Sequence, residues 1–351
     1  MEVLKIGILG TWLKVEKFGG MVNAYPGCKV EAVWDRDMAK AESAAEILGC
    51  RAVETADEII NDPEIDGVMI LTEYCFHTEL LLKCAGAGKH ILVEKPLCTS
   101  VEDAEKIRDI VKKSGKKFYM SEPYVSATTI FQKQLMDSGK LGRIMHGRMK
   151  FCNMREDDPS LENIKRLTEM TGGGMMSDLG THALHSLYYL FGVPEKVYAH
   201  FAYSSDFTRS IGQEEYITIQ MEYPDGVTAS LECSTMAPDF SNVLEVTGTR
   251  GVCVNHGLVR HNRQIKYKLT KEENGLPSGT FTDDEGWVVP ADDMIPEDPI
   301  RHVNYWLKMI TEDISQEQFE NDPLGNCGLS IDRAVDLVKI RNMIYEAADR
   351  R

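Results

Sequence analysis

Basic residues are in short supply. The 351-residue chain carries 39 Lys and Arg against 55 Asp and Glu, a formal charge of −16, which opposes binding to polyphosphate backbones or anionic bilayers. Neither a nucleic-acid nor a membrane partner is expected. No apolar run approaches the roughly 18 residues of a membrane-spanning helix, and Met1-Glu2-Val3-Leu4-Lys5 does not open the basic-then-apolar pattern of a leader. Cys-x-x-C pairs are missing too. The nine cysteines, Cys28, Cys50, Cys75, Cys84, Cys98, Cys152, Cys233, Cys253 and Cys327, are odd in number and scattered, as reduced thiols are and disulfide frameworks or zinc ribbons are not. These absences predict a cytoplasmic protein.

What is present fits folded domains. Hydrophobic residues make up 43% and charged residues 27%, close to the globular average, and the length suggests about two domains. Short apolar runs at 3–9, 30–34, 67–71, 90–93 and 117–120 alternate with helical spacing at 38–48, 77–87 and 101–114, the last after Thr99-Ser100. That alternation predicts βαβ units and a doubly wound parallel sheet over 1–122. From 123 to 351 the pattern predicts an α+β domain with a mostly antiparallel open sheet. Its expected helices are 128–138, a segment within 155–170, and 177–191, and its expected strands are 144–152, 196–203, 215–223, 227–234 and 242–247. Residues 283–299, with seven acidic residues and three prolines, predict an exposed acidic loop, and 330–348 a final helix.

Three motifs carry chemistry. The first, Gly7-Ile8-Leu9-Gly10-Thr11-Trp12-Leu13-Lys14-Val15, is a glycine turn at the end of the first strand. Such a turn lets a pyrophosphate approach backbone amides, although Gly10 alone fits a plain structural turn equally well. Asp35 follows 25 residues later, where a carboxylate accepts the ribose hydroxyls of NAD; alternatively it caps the next helix. Its neighbour Arg36 is suited to a 2′-phosphate or to stacking on adenine. The second motif, Gly88-Lys89-His90-Ile91-Leu92-Val93-Glu94-Lys95-Pro96-Leu97, delivers Lys95 at the carboxyl end of a strand, where ligands bind in open α/β sheets. A lysine there stabilises the alkoxide-like charge of hydride removal; the alternative is a surface ion pair of Glu94 with Lys95. In the third, Gly172-Gly173-Gly174-Met175-Met176-Ser177-Asp178-Leu179-Gly180-Thr181-His182-Ala183-Leu184-His185, Asp178, His182 and His185 share one helical face. A carboxylate beside an imidazole supports a general base; a metal triad or satisfied core polar groups are the alternatives.

Together these residues resemble the Gfo/Idh/MocA oxidoreductase family over essentially the whole chain. The resemblance rests on the Gly10 turn, Asp35, Thr72-Glu73-Tyr74-Cys75-Phe76-His77, Ala87-Gly88-Lys89-His90 through Glu94-Lys95-Pro96, and Gly172 to His182. It implies a Rossmann domain with NAD, or NADP, lined by Gly10, Thr11, Trp12, Leu13, Asp35, Arg36, Thr72, His77, Glu94 and Lys95, and no metal. Lys95, Asp178 and His182 would form the catalytic group acting on a sugar or polyol. The open sheet would mediate homo-oligomerisation, as a dimer or tetramer. Candidate recognition residues are Tyr124, Arg155, Lys165, Arg166 and His185, beside Lys95 and His182. The chain departs from the family at Trp12 (usually glycine), Glu73 (often proline), His185 (commonly aspartate) and Ser121-Glu122-Pro123-Tyr124 (usually containing arginine). Two alternatives share this scaffold, the first also keeping the same residues. One is a glycoside-processing enzyme that keeps NAD, motivated by Trp12; the other is a non-catalytic sugar or dinucleotide sensor.

Overall fold

Glycine and capping residues punctuate the chain where the elements change. Asp37 caps α2 (Met38–Leu48) by accepting the Ala39 N–H at 3.1 Å, and Gly49 closes that helix at φ 67°. Ser100 caps α5 (Val101–Ser114) through the Asp103 N–H at 3.3 Å, with Glu102 and Asp103 in the first turn and Lys112 and Lys113 in the last. That distribution complements the helix dipole. The structure, a computed structural model, describes residues 3–11, 15–122, 124–153, 160–236, 241–256, 264–273, 276–281, 286–296, 302–322 and 328–349.

In chain order the elements begin with β1 (Leu4–Leu9), α1 (Val15–Ala24), β2 (Cys28–Trp34), α2 (Met38–Leu48), β3 (Arg51–Ala52), α3 (Ala56–Ile60) and β4 (Gly67–Ile70). Next come α4 (His77–Gly86), β5 (His90–Glu94), α5 (Val101–Ser114), β6 (Phe118–Ser121), α6 (Ala127–Asp137), β7 (Ile144–Cys152), α7 (Leu161–Thr171), α8 (Met175–Asp178) and α9 (Gly180–Phe191). Strands then dominate: β8 (Lys196–Ala202), α10 (Asp206–Ser210), β9 (Tyr216–Glu222), β10 (Thr228–Ser234), β11 (Ser241–Gly248), β12 (Gly251–Asn255), β13 (Ile265–Glu273) and β14 (Leu276–Phe281). The chain continues with α11 (His302–Thr311), α12 (Gln316–Asn321), β15 (Gly328–Leu329) and α13 (Ile331–Asp349).

Two units result. The first comprises Met1–Glu122 and Ile300–Val338. Its sheet has the order β15-β6-β5-β4-β1-β2-β3, parallel except for the edge strand β15. β1 pairs with β2 on one side and β4 on the other, so the strand order reverses beside β1, the switch point where open α/β sheets bind ligands. Residues 300–338 belong here and not with the remainder of 123–351, the range expected as one domain. The reason is apolar: Val303, Tyr305, Trp306, Leu307, Met309 and Phe319 are buried in one cluster with Ile6, Ile8, Met69, Leu92 and Tyr119.

The second unit comprises Pro123–Pro299 and Lys339–Arg351. Its eight-stranded sheet runs β14-β13-β12-β11-β7-β10-β9-β8 and is antiparallel except where β7 meets β10. Helix α9 packs on β7 and β10, and α6 on β12. Over 177–191 the assigned helices α8 and α9 meet at Leu179, which keeps helical dihedrals (φ −78°, ψ −31°); there the His182 N–H bonds to the Leu179 carbonyl at 3.2 Å and the Thr181 hydroxyl to the Asp178 carbonyl at 2.8 Å. In the acidic loop Trp287, Val289 and residues 291–294 are exposed as expected, while Val288 exchanges both backbone hydrogen bonds with Tyr267, at 2.7 and 2.9 Å, and Ile295 is buried. Residues 283–285 and 297–299 lie outside the described residues.

Candidate active site

The carboxyl ends of the first sheet's strands hold most of the expected nucleotide residues. Gly10 follows β1 with φ 93°, and its N–H donates to the Trp34 carbonyl at 2.7 Å. A Cβ at Gly10 would stand 2.6 Å from Thr72 Cγ2 and 2.7 Å from Thr72 N, so only glycine permits this approach of the loops after β1 and β4. Asp35 follows β2. Its Oδ2 accepts the Thr11 N–H and hydroxyl, both at 2.7 Å, and its Oδ1 accepts the Asp37 N–H at 2.9 Å. Burial pushes the Asp35 carboxyl upward, but the hydrogen bonds from Asp37 and Thr11 and the nearby Lys40 outweigh it and leave the pKa below its usual value. The helix cap is Asp37, so the capping alternative for Asp35 is set aside.

Arg36 is engaged by the loop after β4. Its guanidinium donates to Glu73 Oε1 at 2.9 Å and lies 4.2 Å from the Phe76 ring centroid. Thr72, on the same loop, is buried, and among the described residues its Oγ1 has no hydrogen-bond partner. An unmet hydroxyl beside Gly10, near the fixed Asp35 carboxylate, is what a dinucleotide site provides. These residues therefore fit the cofactor.

Glu94 ends β5 and Lys95 follows it, both half-buried. Glu94 Oε1 accepts the Ser121 hydroxyl at 2.9 Å, and that hydroxyl also meets His302 Nδ1. Lys95 Nζ lies 5.5 Å from the Tyr74 ring centroid. His77 is fully buried: Nδ1 is 2.8 Å from the Pro96 carbonyl and Nε2 3.2 Å from the Thr72 carbonyl. Burial lowers its pKa against the opposing pull of the Pro96 and Thr72 carbonyls. His77, expected to line the cofactor, sits between the Thr72 loop and the Lys95-Pro96 turn, within reach of a carbonyl from each. A surface hollow of about 510 Å³ near Lys29, Glu31 and Arg51 lies at the start of β2, away from this rim.

In the second unit, His182 is buried and stacks on Tyr124, with ring centroids 3.8 Å apart and 26° between planes. Phe151 meets Tyr124 edge-on at 5.5 Å and His182 at 6.3 Å. Asp178 ends α8, half-buried, and His185 is buried one turn along α9. Among the described residues no group of three or more His, Cys, Asp or Glu is placed to hold a metal ion. Lys165 and Arg166 are exposed on α7. Trp12, Leu13 and Arg155 lie outside the described residues.

The glycine run ahead of Asp178 is held by residues that sequence reading did not single out. Glu214, wholly buried, accepts the Gly174 N–H at 2.9 Å, the Met176 N–H at 3.0 Å and the Tyr345 hydroxyl at 2.7 Å. Tyr345 also meets Ser177 Oγ at 2.9 Å, and Arg341 donates to Ser177 Oγ and to the Gly172 carbonyl. A Cβ at Gly174 would lie 2.5 Å from Glu214 N, and one at Gly173 would strike the Tyr345 hydroxyl. Burial raises the Glu214 pKa despite these donors. No local pattern marks these partners, since Arg341 lies 164 positions from Ser177.

The comparisons with known proteins agree with this architecture. Residues 4–122 match the oxidoreductase family with an NAD-binding Rossmann fold, and residues 132–254 match the GFO/IDH/MocA C-terminal domain. An uncharacterized oxidoreductase of Rhizobium meliloti is 30% identical over 256 residues, 71% of this chain and 73% of the relative. A scyllo-inositol 2-dehydrogenase (NAD(+)) of Bacillus subtilis is 28% identical over 271 residues, 74% of each chain. The crystal structure of a levoglucosan dehydrogenase with NADH and levoglucosan shares the fold, with TM-score 0.76 and 21% identity over 99% of this chain and 98% of that one. Two matched domain models and a relative at 30% identity lead to one assignment: the chain belongs to the Gfo/Idh/MocA family of NAD(P)-dependent oxidoreductases.

Proposed function

We propose that the protein is a dehydrogenase that oxidises a hydroxyl-bearing carbon of a sugar, polyol or sugar derivative, or runs the reverse reduction. The observation that carries this reading is Lys95, half-buried at the carboxyl end of β5 on the rim that also holds Gly10, Asp35 and Thr72. Gly10, Thr11, Asp35, Thr72 and Glu94 would hold the dinucleotide. When bound, the nicotinamide supplies the acceptor for the hydride that leaves the substrate carbon. His182 takes the proton from the substrate hydroxyl. Asp178 orients the imidazole and favours its protonated form, and Lys95 donates a hydrogen bond to the oxygen as negative charge grows on it. The related dehydrogenases, named for scyllo-inositol and levoglucosan, point to a substrate with vicinal hydroxyls, which Tyr124, Arg155 and His185 would help select.

The reading is tested by following nicotinamide reduction with purified protein across a panel of polyols and sugars. Turnover of any member supports it, and a blank panel with both NAD and NADP overturns it.

Two further parts belong to the proposal. The outer face of β8 and β9, with Tyr198, His200, Tyr216, Thr218 and Gln220 exposed, packs against a second copy of the chain; light scattering at working concentration reads the oligomer size. The cysteines Cys28, Cys50, Cys75, Cys84, Cys98, Cys152, Cys233 and Cys253 are all free thiols, in keeping with a reducing, cytoplasmic compartment, and no helix among the described residues is long and apolar enough to cross a membrane.

A further inference from the structure

We propose that Glu73 sets the nucleotide preference of the dinucleotide site by holding Arg36, so that NAD is favoured over NADP. The inference rests on the dinucleotide reading of the rim. A carboxylate at the end of β2 suits the two ribose hydroxyls of NAD, whereas an arginine beside it suits the 2′-phosphate of NADP. This chain has both, Asp35 and Arg36, so the sequence at β2 leaves the choice open.

Glu73 resolves it. Arg36 is committed on two sides by one turn: Glu73 Oε1 takes its Nη2 at 2.9 Å, and the Phe76 ring lies under the guanidinium at 4.2 Å. That turn is itself fixed, because the Phe76 N–H donates to the Glu73 carbonyl at 3.1 Å and Glu73 stands at its head with φ −64° and ψ 150°. The Glu73 side chain is 22% exposed and that of Arg36 55%, so the sheltered carboxylate is the fixed partner and the arginine is the one drawn to it. A 2′-phosphate would have to separate this pair and sit beside the carboxylates of Asp35 and Glu73. The ribose hydroxyls of NAD need neither, since Asp35 keeps a free lone pair after accepting from Thr11 and Asp37. Glu73 is thus a specificity-determining residue that acts through Arg36, with Phe76 keeping the guanidinium flat against the turn.

The test is equilibrium titration of the full-length protein with NAD and with NADP, read by calorimetry, for the wild type, Glu73→Gln and Glu73→Gln/Arg36→Gln. Glu73→Gln keeps the shape and removes the charge. An exposed pair of this kind contributes little to folding, and an unchanged Tm verifies that. The wild type is expected to bind NAD more tightly. Glu73→Gln should tighten NADP binding by about tenfold, the gain expected when a phosphate acquires one charge-assisted guanidinium contact, with NAD affinity altered by less than about twofold. The double variant should lose the gain, which a merely structural role for Glu73 would not produce. Binding of both nucleotides with the same ratio in wild type and Glu73→Gln overturns the inference and leaves the dinucleotide reading standing. Binding of neither by the wild type overturns that reading itself.

Discussion

The imidazole of His182 stacks on the phenol ring of Tyr124, 3.8 Å between centroids and 26° between planes, and Phe151 meets Tyr124 edge-on at 5.5 Å. Ring packing therefore restrains the imidazole orientation in addition to anything Asp178 contributes. A stacked aromatic pair contributes about 0.5–1.5 kcal/mol beyond its buried area, enough to change a rate by about threefold to tenfold if it is lost as the imidazole acts. Tyr124→Ala should lower kcat by that amount with the nucleotide Kd unchanged, and Tyr124→Phe should keep kcat near the wild-type value. Equal losses in both variants would assign the effect to the hydroxyl instead of the stack.

Glu214 is the anchor of the glycine run. Its replacement by alanine leaves the Gly174 and Met176 amides without their acceptor in a buried place and the Tyr345 hydroxyl with only Ser177, at a cost of about 1–3 kcal/mol for each unsatisfied group. Calorimetry should show Glu214→Ala lowering Tm by several degrees or more. Glu214→Gln, which keeps a carbonyl acceptor, should recover part of the loss. An unchanged Tm in Glu214→Ala would remove the anchor from the account.

Acid should weaken the first unit through half-buried His90 and buried His77. Burial first, then the charges of Lys116 and Lys117, push the His90 pKa down from 6.5 to about 4, and burial lowers that of His77 as well. A histidine whose folded pKa lies below its unfolded value binds fewer protons in the folded state, so unfolding is favoured as pH falls from 6.5 toward 4. His90 Nδ1 accepts the Lys117 N–H at 3.0 Å, and His90→Asn can keep that bond without titrating. The variant should show a flatter fall of Tm across this window than the wild type; an identical slope would sink the assignment.

Much of the first unit was legible because parallel strands buried on both faces read as continuous apolar runs, as in β1, β4 and β5. The two-residue strands β3 and β15 carry no periodicity to read. Helix α11 joins the first unit only because Trp306 and its neighbours complete a core that begins some three hundred positions earlier, and no local pattern records that return. The site divides the same way. Gly10, Asp35 and Lys95 stand out because a strand end and a turn residue are local features. The contacts around them are not local: Glu73 is 37 positions from Arg36, and His302 is 181 from Ser121.

The central claim is that Lys95 and His182 perform the hydroxyl oxidation. It is tested most directly by measuring the rate of nicotinamide reduction by Lys95→Met and His182→Ala on whichever polyol or sugar the wild type turns over, alongside their nucleotide Kd by calorimetry. The account predicts a fall in kcat of about 10²-fold or more in each variant, the range for loss of a general base or a charge-stabilising donor, with nucleotide affinity within about threefold of the wild type. Full turnover in both variants would contradict it.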